Sequence, residues 1–360
     1  MSVFKTFSNP LVGGIFLGLF AILLEFHDIP LEIAGGLDLY SSSGNPLFFI
    51  ILGIIGGSFI SSTFAQEFGI KIPTKIEIFK AVVAGILMGI GSTLALGGNI
   101  GGFYTATANF SASGLTMFLG LIIGVLMGLK YLIWEAEKFP SKGGINIYLK
   151  KFGTVIGIIV LIIILWKALG YLKSNTEKEI LGKLLLFSAI AGFIIQRSKL
   201  CMAKAFREPF ISGDSLMTRS FVLSLFIATT GIFFLKFSKI QDPYFYVIPT
   251  FVLGSFVGGI LFGLGMVLAD SCALSMLWKL GEGQLKLLIV TVFFGLSTSI
   301  FRYYSEHVWN IWEKGFLGKK VYLPDYLTYP GAFLLILVVL FLWIFFVEWN
   351  RRTRRFIIKI

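Results

Sequence analysis

Ten long apolar runs divide this chain of 360 residues, and their length restricts the fold more than any motif does. A helix needs roughly 20 consecutive apolar residues to cross the hydrocarbon core of a bilayer. The chain is 56% hydrophobic and contains 38 Phe, far more apolar surface than a water-soluble core of this size requires. We therefore predict an all-α polytopic membrane protein with no room for a soluble domain. The predicted spans are residues 8–26, 46–65, 79–97, 113–133, 153–172, 180–196, 219–236, 249–269, 286–302 and 331–348.

The basic residues are distributed unevenly between the predicted spans. If the N-terminus is cytoplasmic, 21 of the 31 Lys and Arg residues fall in cytoplasmic segments and 9 in external segments. Cytoplasmic loops of membrane proteins carry such an excess of positive charge. The net charge of +12 therefore orients the chain in a bilayer and does not require a nucleic-acid partner. Both termini are predicted to be cytoplasmic.

Two glycine-rich stretches of the chain are nearly identical. With a constant shift of 174 residues, 85–98 and 259–272 agree at seven of 14 positions, more than this biased composition would produce by chance. The same shift places the first five spans on the last five. We predict two transmembrane repeats, residues 1–175 and 176–360, within a single membrane domain. Because five crossings is an odd number, the repeats should be inverted relative to each other.

Inverted repeats place a substrate path near the midplane, where matching interrupted segments meet. Here Gly-Gly-Asn at 97–99 corresponds to Ser-Cys-Ala at 271–273. Residues 97–114 carry no charge and are rich in Gly, Ser and Thr, so we expect a re-entrant segment that is buried by protein or lines a cavity. Its N–H and hydroxyl groups would favour an anion. Close packing of helices is the alternative explanation of the glycines.

The two cysteines, Cys201 and Cys272, are too few for a disulfide framework and are expected to be free thiols. Cys201 lies among cations in QRSKLCMAKAFREPF, and such cations would lower the pKa of a thiol and attract an anion. The alternative is a positively charged cytoplasmic loop with an incidental cysteine. Cys272 either packs as a small hydrophobic residue or acts at the centre of the repeat. Asp270 beside it is expected to cap the following turn or to line a polar cavity.

Other chemistry finds little support in the sequence. The two histidines, His27 and His307, fall in predicted external segments, which argues against a histidine metal site. The chain contains no G-x-S-x-G, Walker-type or paired-carboxylate motif. We therefore expect no catalytic residue, no metal and no other cofactor.

Three segments resemble motifs of the YeeE/YedE sulphur-transport membrane proteins. LALGGNIGGFYTATANFSASGL is similar to their L-A-x-G-C-N-x-G segment, QRSKLCMAKAFRE to Q-R-x-x-x-C…R-[DE], and GLGMVLADSCALSMLWKLGEGQLK to G-x-G-x-x-x-A-x-x-C-x-x-G…G-E-G. The resemblance implies uptake of thiosulphate or a related small sulphur-containing ion along a cysteine-lined path in the inner membrane of a prokaryotic cell. It also implies a TusA-like sulphur carrier as a cytoplasmic partner.

Carried over residue by residue, the resemblance matches Cys201 and Cys272 to motif cysteines and Glu282 to the Gly-Glu-Gly acid. Gly98 stands where the family has cysteine, and the first repeat has no cysteine at all. Either the external half passes the ion by backbone and hydroxyl contacts, or the substrate differs. The candidate substrate-binding or pathway residues are Cys201, Cys272, Gly97, Gly98, Asn99, Gly101, Gln196, Arg197, Lys204, Arg207, Asp270, Ser271 and Glu282.

Four functions remain open at this point. The favoured one is a passive or secondary transporter of a small sulphur-containing anion, and the second is a carrier of a selenium compound or a neutral sulphur metabolite. The third is a membrane-bound sulphur-handling enzyme in which Cys201 forms a persulfide for a soluble carrier. The fourth is a scaffold that anchors such a carrier through its basic inner face.

Overall fold

The computed structural model describes residues 7–38, 45–138, 145–148, 150–173, 176–308, 315 and 317–357. This part of the chain is almost entirely helical, which confirms the all-α prediction. A three-residue gap in the helical pattern, at 96–98, separates a long helix from a π-helical segment, Asn99–Thr105. The α-helices are α1 (Pro10–Glu25), α2 (Ala34–Leu37), α3 (Pro46–Phe64), α4 (Lys75–Ala95), α5 (Ala106–Ala108), α6 (Ala112–Lys138), α7 (Lys150–Leu172), α8 (Thr176–Ser198), α9 (Met202–Ile211), α10 (Leu216–Phe237), α11 (Leu253–Ala269), α12 (Ala273–Gly281), α13 (Leu285–His307) and α14 (Leu323–Thr353).

Nine helical segments in the described part of the chain are long and apolar enough to cross a membrane. They cover nine of the ten predicted spans, so the polytopic prediction is confirmed. The remaining one corresponds to α1, which is apolar but has only 16 residues. Burial differs strongly among the segments, from 11% of residues in Gly153–Leu172 to 78% in Leu253–Gly281. The first therefore faces lipid, and the second forms the centre of the protein.

Local sequence signals explain where several helices begin. The Asn45 side chain accepts a hydrogen bond from the Leu47 N–H at 3.0 Å, and Pro46 occupies the first turn of α3, where its missing N–H costs nothing. Thr74 and Glu77 form a reciprocal capping box at the start of α4. These caps satisfy N–H groups that the helices themselves leave unpaired.

The helix bounds repeat under the shift of 174 residues. α4 ends at Ala95 and α11 at Ala269, and each is closed by a residue in the left-handed conformation, Leu96 (φ +51°) and Asp270 (φ +57°). The π-helical segment with α5 then corresponds to α12. These coincidences support the division into residues 1–175 and 176–360, which we retain with its inversion as a proposal.

The two halves are interleaved. The most extensive helix packing joins one half to the other: α11 contacts α6 and α4, α3 contacts α8, α13 contacts α4, and α10 contacts α1. Glycines permit this close approach, since a Cβ on Gly91 would lie 2.7 Å from the Gly258 carbonyl oxygen. Neither half therefore has a separate core of its own.

Loops predicted to share a membrane face contact one another. On the face predicted to be cytoplasmic, strands β1 (Gly69–Ile72) and β2 (Ile145–Tyr148) pair antiparallel, and Lys71 also bridges Gln284. On the other face, the Asp38 carboxylate lies 3.1 Å from Arg302. The assignment of one face to the cytoplasm stays a prediction.

Candidate functional site

Two buried segments, one from each half, meet in the interior. All seven residues of the π-helical segment Asn99–Thr105 are buried, and so is every residue of α12 except Leu280. The Asn99 Oδ1 atom accepts a hydrogen bond from the Ala273 N–H at 3.2 Å, while Asn99 Nδ2 donates to the Met202 sulphur at 3.0 Å. Both segments start where a long helix ends in a left-handed residue, which turns the chain back into the protein.

The two thiols lie at this meeting point and are joined through one serine. Cys201 Sγ donates to Ser275 Oγ at 3.0 Å, and Ser275 Oγ donates to Cys272 Sγ at 3.2 Å. Both cysteines are free, as predicted, and neither has exposed surface. Ser271 extends the chain, since its hydroxyl lies 2.8 Å from that of Ser275. Ser275 is not among the residues predicted from the sequence, although it belongs to the same motif as Cys272.

Cys272 is the N-cap of α12. Its sulphur accepts from the Ser275 N–H at 3.3 Å, and its own N–H donates to Ser275 Oγ at 2.8 Å. Of the two roles expected for Asp270, capping of this helix is not observed, because Asp270 lies two residues before the cap position, whereas Asp270 does line a polar cavity with Glu77 and Lys286. Asp270 closes α11 instead and pairs with Arg207 and with Lys279, whose Nζ lies 3.6 Å from Oδ2.

The predicted cations near Cys201 are engaged by carboxylates. Arg197 lies 3.3 Å from Glu67, Lys204 lies 3.9 Å from Glu208, and Arg207 pairs with Asp270. The Cys201 thiol itself bonds a hydroxyl group. The cations therefore balance acidic groups at this face.

A polar cluster lies on the side of the thiols predicted to be cytoplasmic. Gln196 donates to Glu282 Oε1 at 2.8 Å and accepts from Ser61 Oγ at 2.6 Å. Lys199 pairs with Glu282 and lies 2.7 Å from Glu67. Burial raises the pKa of Glu67, but the hydrogen bond and charge of Lys199 outweigh it and hold that pKa below its usual value. We call these residues the inner cluster, and a cavity of about 460 Å³ opens beside it.

A second cavity, of about 210 Å³, lies on the opposite side of the buried segments. We call it the outer cavity. Glu32, Leu96, Gly97, Tyr246 and Arg302 are among the residues that line it. The Glu32 side chain is 5% exposed, and its Oε2 accepts from the Gly35 N–H at 2.6 Å. Burial raises the pKa of Glu32 to about 7, partly offset by the N–H groups of Gly35, Ala34 and Gly98 and by the Arg302 charge.

The loop glycines have different structural roles. Gly97 has φ +152°, and a Cβ there would lie 2.6 Å from the Gly102 nitrogen, so only glycine fits. A Cβ on Gly101 would lie 2.4 Å from Glu32 Cγ. Gly98 has an ordinary φ of −72°, and its Cβ would meet the Phe262 ring at 3.0 Å. Gly98, where the related motif has cysteine, is therefore the least constrained of the three.

Glu32, Glu67 and Ser61 were not predicted from the sequence, and Lys199 was predicted only as one of the cations around Cys201. Glu67 and Ser61 are more than 100 residues from the side chains they bond, and no local pattern links them. Glu32 is one of three acids in EFHDIPLEI, and nothing in that segment distinguishes it from Glu25 or Asp28.

Of the predicted candidates, Cys201, Cys272 and Ser271 form the thiol cluster together with Ser275. Gln196 and Glu282 belong to the inner cluster, and the candidates at 97–101 lie at the start of the first buried segment. Arg197, Lys204, Arg207 and Asp270 form the ion pairs described above.

These observations define an α-helical integral membrane protein in which two buried segments and two free thiols separate an outer cavity from an inner polar cluster. Comparison with known proteins narrows the class. The chain belongs to the family described as Sulphur transport, whose model matches residues 32–127 and 197–358.

Several relatives have names that indicate transport. The probable transporter YedE of Escherichia coli (strain K12) is 26% identical over 305 residues, which cover 79% of this chain and 73% of the relative. YedE of Salmonella typhimurium is 27% identical over the same length. The thiosulfate transporter TsuA of Spirochaeta thermophila is 30% identical over 128 residues, or 36% of this chain and 38% of the relative.

Proposed function

We propose that this protein is a transporter for the uptake of thiosulphate or a related small sulphur-containing anion, which passes Cys272 and Cys201. The observation that carries the proposal is the hydrogen-bonded chain from Cys201 through Ser275 to Cys272, buried where the two segments meet. Membership of the sulphur transport family and the name of the relative TsuA support it.

The order of groups along the protein suggests the route. The anion enters the outer cavity at Gly97, passes Gly98 and Asn99, reaches the two thiols, and leaves beside Lys199 in the inner cluster. A dehydrated anion needs hydrogen-bond donors in a buried path. Donors of moderate strength are available there, from the S–H and O–H groups of the thiol cluster and from the N-terminal end of α12. The anion would therefore bind weakly enough to dissociate again.

The missing cysteine at position 98 changes the outer part of this route. The Asn99 carboxamide occupies the neighbouring position and contacts the sulphur of Met202 at 3.0 Å. In this chain, backbone N–H groups and the Asn99 amide replace a thiol in the outer half. Thiols then act only in the inner half, at Cys272 and Cys201.

The alternative is a persulfide enzyme, with sulphur held on Cys201 and passed to a TusA-like carrier. The burial of Cys201, which has no exposed surface, favours transport, because a soluble protein cannot contact a thiol that no solvent reaches. Delivery of transported sulphur to such a carrier at the inner cluster is compatible with the route. The inner membrane of a prokaryotic cell, with both termini cytoplasmic, is the location we propose.

The test is uptake of labelled thiosulphate into sealed vesicles that contain wild type, Cys201→Ala or Cys272→Ala. We expect unchanged thiosulphate inside the vesicles and the largest loss for Cys272→Ala. Gly170→Ala is the matched control, since a Cβ there meets nothing within 4 Å. Equal rates for all variants would remove the thiols from the mechanism, and a covalent sulphur adduct on Cys201, seen by mass spectrometry during turnover, would favour the enzyme.

A further inference from the structure

Glu32 is a buried acid that the thiol path does not use. It lies in the loop between α1 and α2 and lines the outer cavity, and only 5% of its surface is exposed. Its Oε2 accepts from the Gly35 N–H, but Oε1 makes no hydrogen bond to any residue that the structure describes. The Tyr246 hydroxyl, which lines the same cavity, is likewise buried without a hydrogen-bond partner among the described residues. Two polar groups without a protein partner therefore line one cavity, and both are available to hydrogen-bond a molecule that enters it.

The charges around Glu32 decide what kind of ligand can bind. Arg302, from α13, is the cation facing the cavity, and it lies 3.1 Å from Asp38 and 2.8 Å from Glu306. Tyr246 reaches the cavity from the loop after α10. From α4, the polar groups that line the cavity are the hydroxyls of Ser92 and Thr93, which carry no charge. Arg302 and its two carboxylates together carry one net negative charge, so no free positive charge faces the cavity. Ionisation of Glu32 adds a second net negative charge and strengthens the repulsion of an anion, whereas a protonated Glu32 adds none.

We propose that the outer cavity is a binding site for a small oxyanion and that it accepts the anion only while Glu32 carries a proton. A protonated Glu32 donates an O–H hydrogen bond instead of presenting a charge, and the Tyr246 hydroxyl supplies a second donor. Leu96 and Gly97, which lead into the buried segment, line the same cavity, so an anion bound there is at the start of the proposed route to Cys272. This inference rests on the proposed transport of an anion.

The raised pKa of Glu32, about 7, supports this proposal, since the site would then change its state near neutral pH. Above that value the protonated fraction falls about tenfold per pH unit. Anion binding at the outer cavity should therefore fall about tenfold between one pH unit below and one above the pKa of Glu32. Thiosulphate keeps the same charge over that range, so the ligand does not explain such a change.

The experiment measures labelled thiosulphate uptake by vesicles at both external pH values. We expect wild type to lose about tenfold at the higher pH and Glu32→Gln to show equal uptake at both, because Gln keeps a hydrogen-bond donor and never ionises. Asp28→Asn is the matched control: this acid is exposed in the same loop, and its left-handed backbone (φ +58°) suits Asn. It should keep the wild-type pH profile.

A binding measurement separates this inference from the transport proposal. Thermal unfolding of purified Cys272→Ala protein, with thiosulphate or sulphate added, reports the outer cavity when the thiol path is broken. The inference is supported if the anion stabilises the Cys272→Ala protein only at the lower pH, and if adding Glu32→Gln makes the stabilisation equal at both pH values. This result would support the inference even if wild type shows no uptake. Wild-type uptake that is independent of pH, or that requires sodium at every pH, would overturn it.

Discussion

The Asn99 side chain contacts the backbone of Ala273 at 3.2 Å, and the two residues are 174 positions apart, which is the shift that relates the repeats. Residues that are equivalent in two repeats can touch only near the axis that relates the repeats. Under the proposed inversion, the axis would therefore pass beside the thiol cluster, between Gly98 and its equivalent Cys272. This relationship supports the proposal of inverted repeats around a central path.

Replacement of Asn99 should separate its structural and electrostatic contributions. Asn99→Ala leaves the buried Ala273 N–H without an acceptor, which costs about 1–3 kcal/mol of stability. Asn99→Asp keeps the acceptor but puts a negative charge beside the path. We expect a lowered melting temperature for the first variant, and for the second a loss of anion uptake that exceeds its loss of stability. The exposed Asn146→Ala should change neither quantity, and uptake by Asn99→Asp at the wild-type rate would contradict the route.

Ser271 and Ser275 are close together in the sequence, but only Ser275 links the two thiols, so substitution of each can be compared. Ser275 bonds both thiols and the Cys272 N–H, whereas the Ser271 hydroxyl contacts Ser275 and the Cys272 carbonyl. Ser275→Ala should reduce thiosulphate uptake at least tenfold and cost about 1–3 kcal/mol of stability, since a buried N–H loses its partner. Ser271→Ala should keep most uptake. Similar rates for the two variants in the vesicle assay would show that the serine link between the thiols is not needed.

Gly97 and Gly98 should respond differently to the same small substitution. Gly97→Ala forces a Cβ into a backbone atom at 2.6 Å with φ at +152°, a conformation that costs a side-chain residue on the order of 1–3 kcal/mol before any clash. Gly98→Cys needs only a small shift of the Phe262 ring and restores the thiol of the related motif. We expect poor expression and no uptake for Gly97→Ala, but folded and active Gly98→Cys. Inactivity of a well-folded Gly98→Cys variant would mean that the glycine itself shapes the path.

The sequence predicted those parts of the protein that depend on local pattern. Apolar run length located the spans, and the internal repeat identified Gly98 and Cys272 as equivalent positions. The cap of α12 was not identified from the sequence, because Asp270 is a common cap residue by type whereas cysteine, which caps this helix at position 272, is not. Contacts such as Gln196 with Glu282, or Glu32 with the wall of the outer cavity, depend on which helices pack together. No spacing along the chain encodes them.

The orientation of the protein in the membrane is testable with single added cysteines, because both native thiols are buried. Lys75→Cys and Arg352→Cys replace exposed residues predicted to be cytoplasmic, and Lys319→Cys replaces an exposed residue predicted to be external. The excess of Lys and Arg on one side orients membrane proteins with that side inside. A maleimide that cannot cross the membrane should therefore label Lys319→Cys in intact cells, and the other two variants only after permeabilisation. The wild type is the control for reaction at the native thiols, and the opposite labelling pattern would place the outer cavity, with Glu32, on the cytoplasmic side.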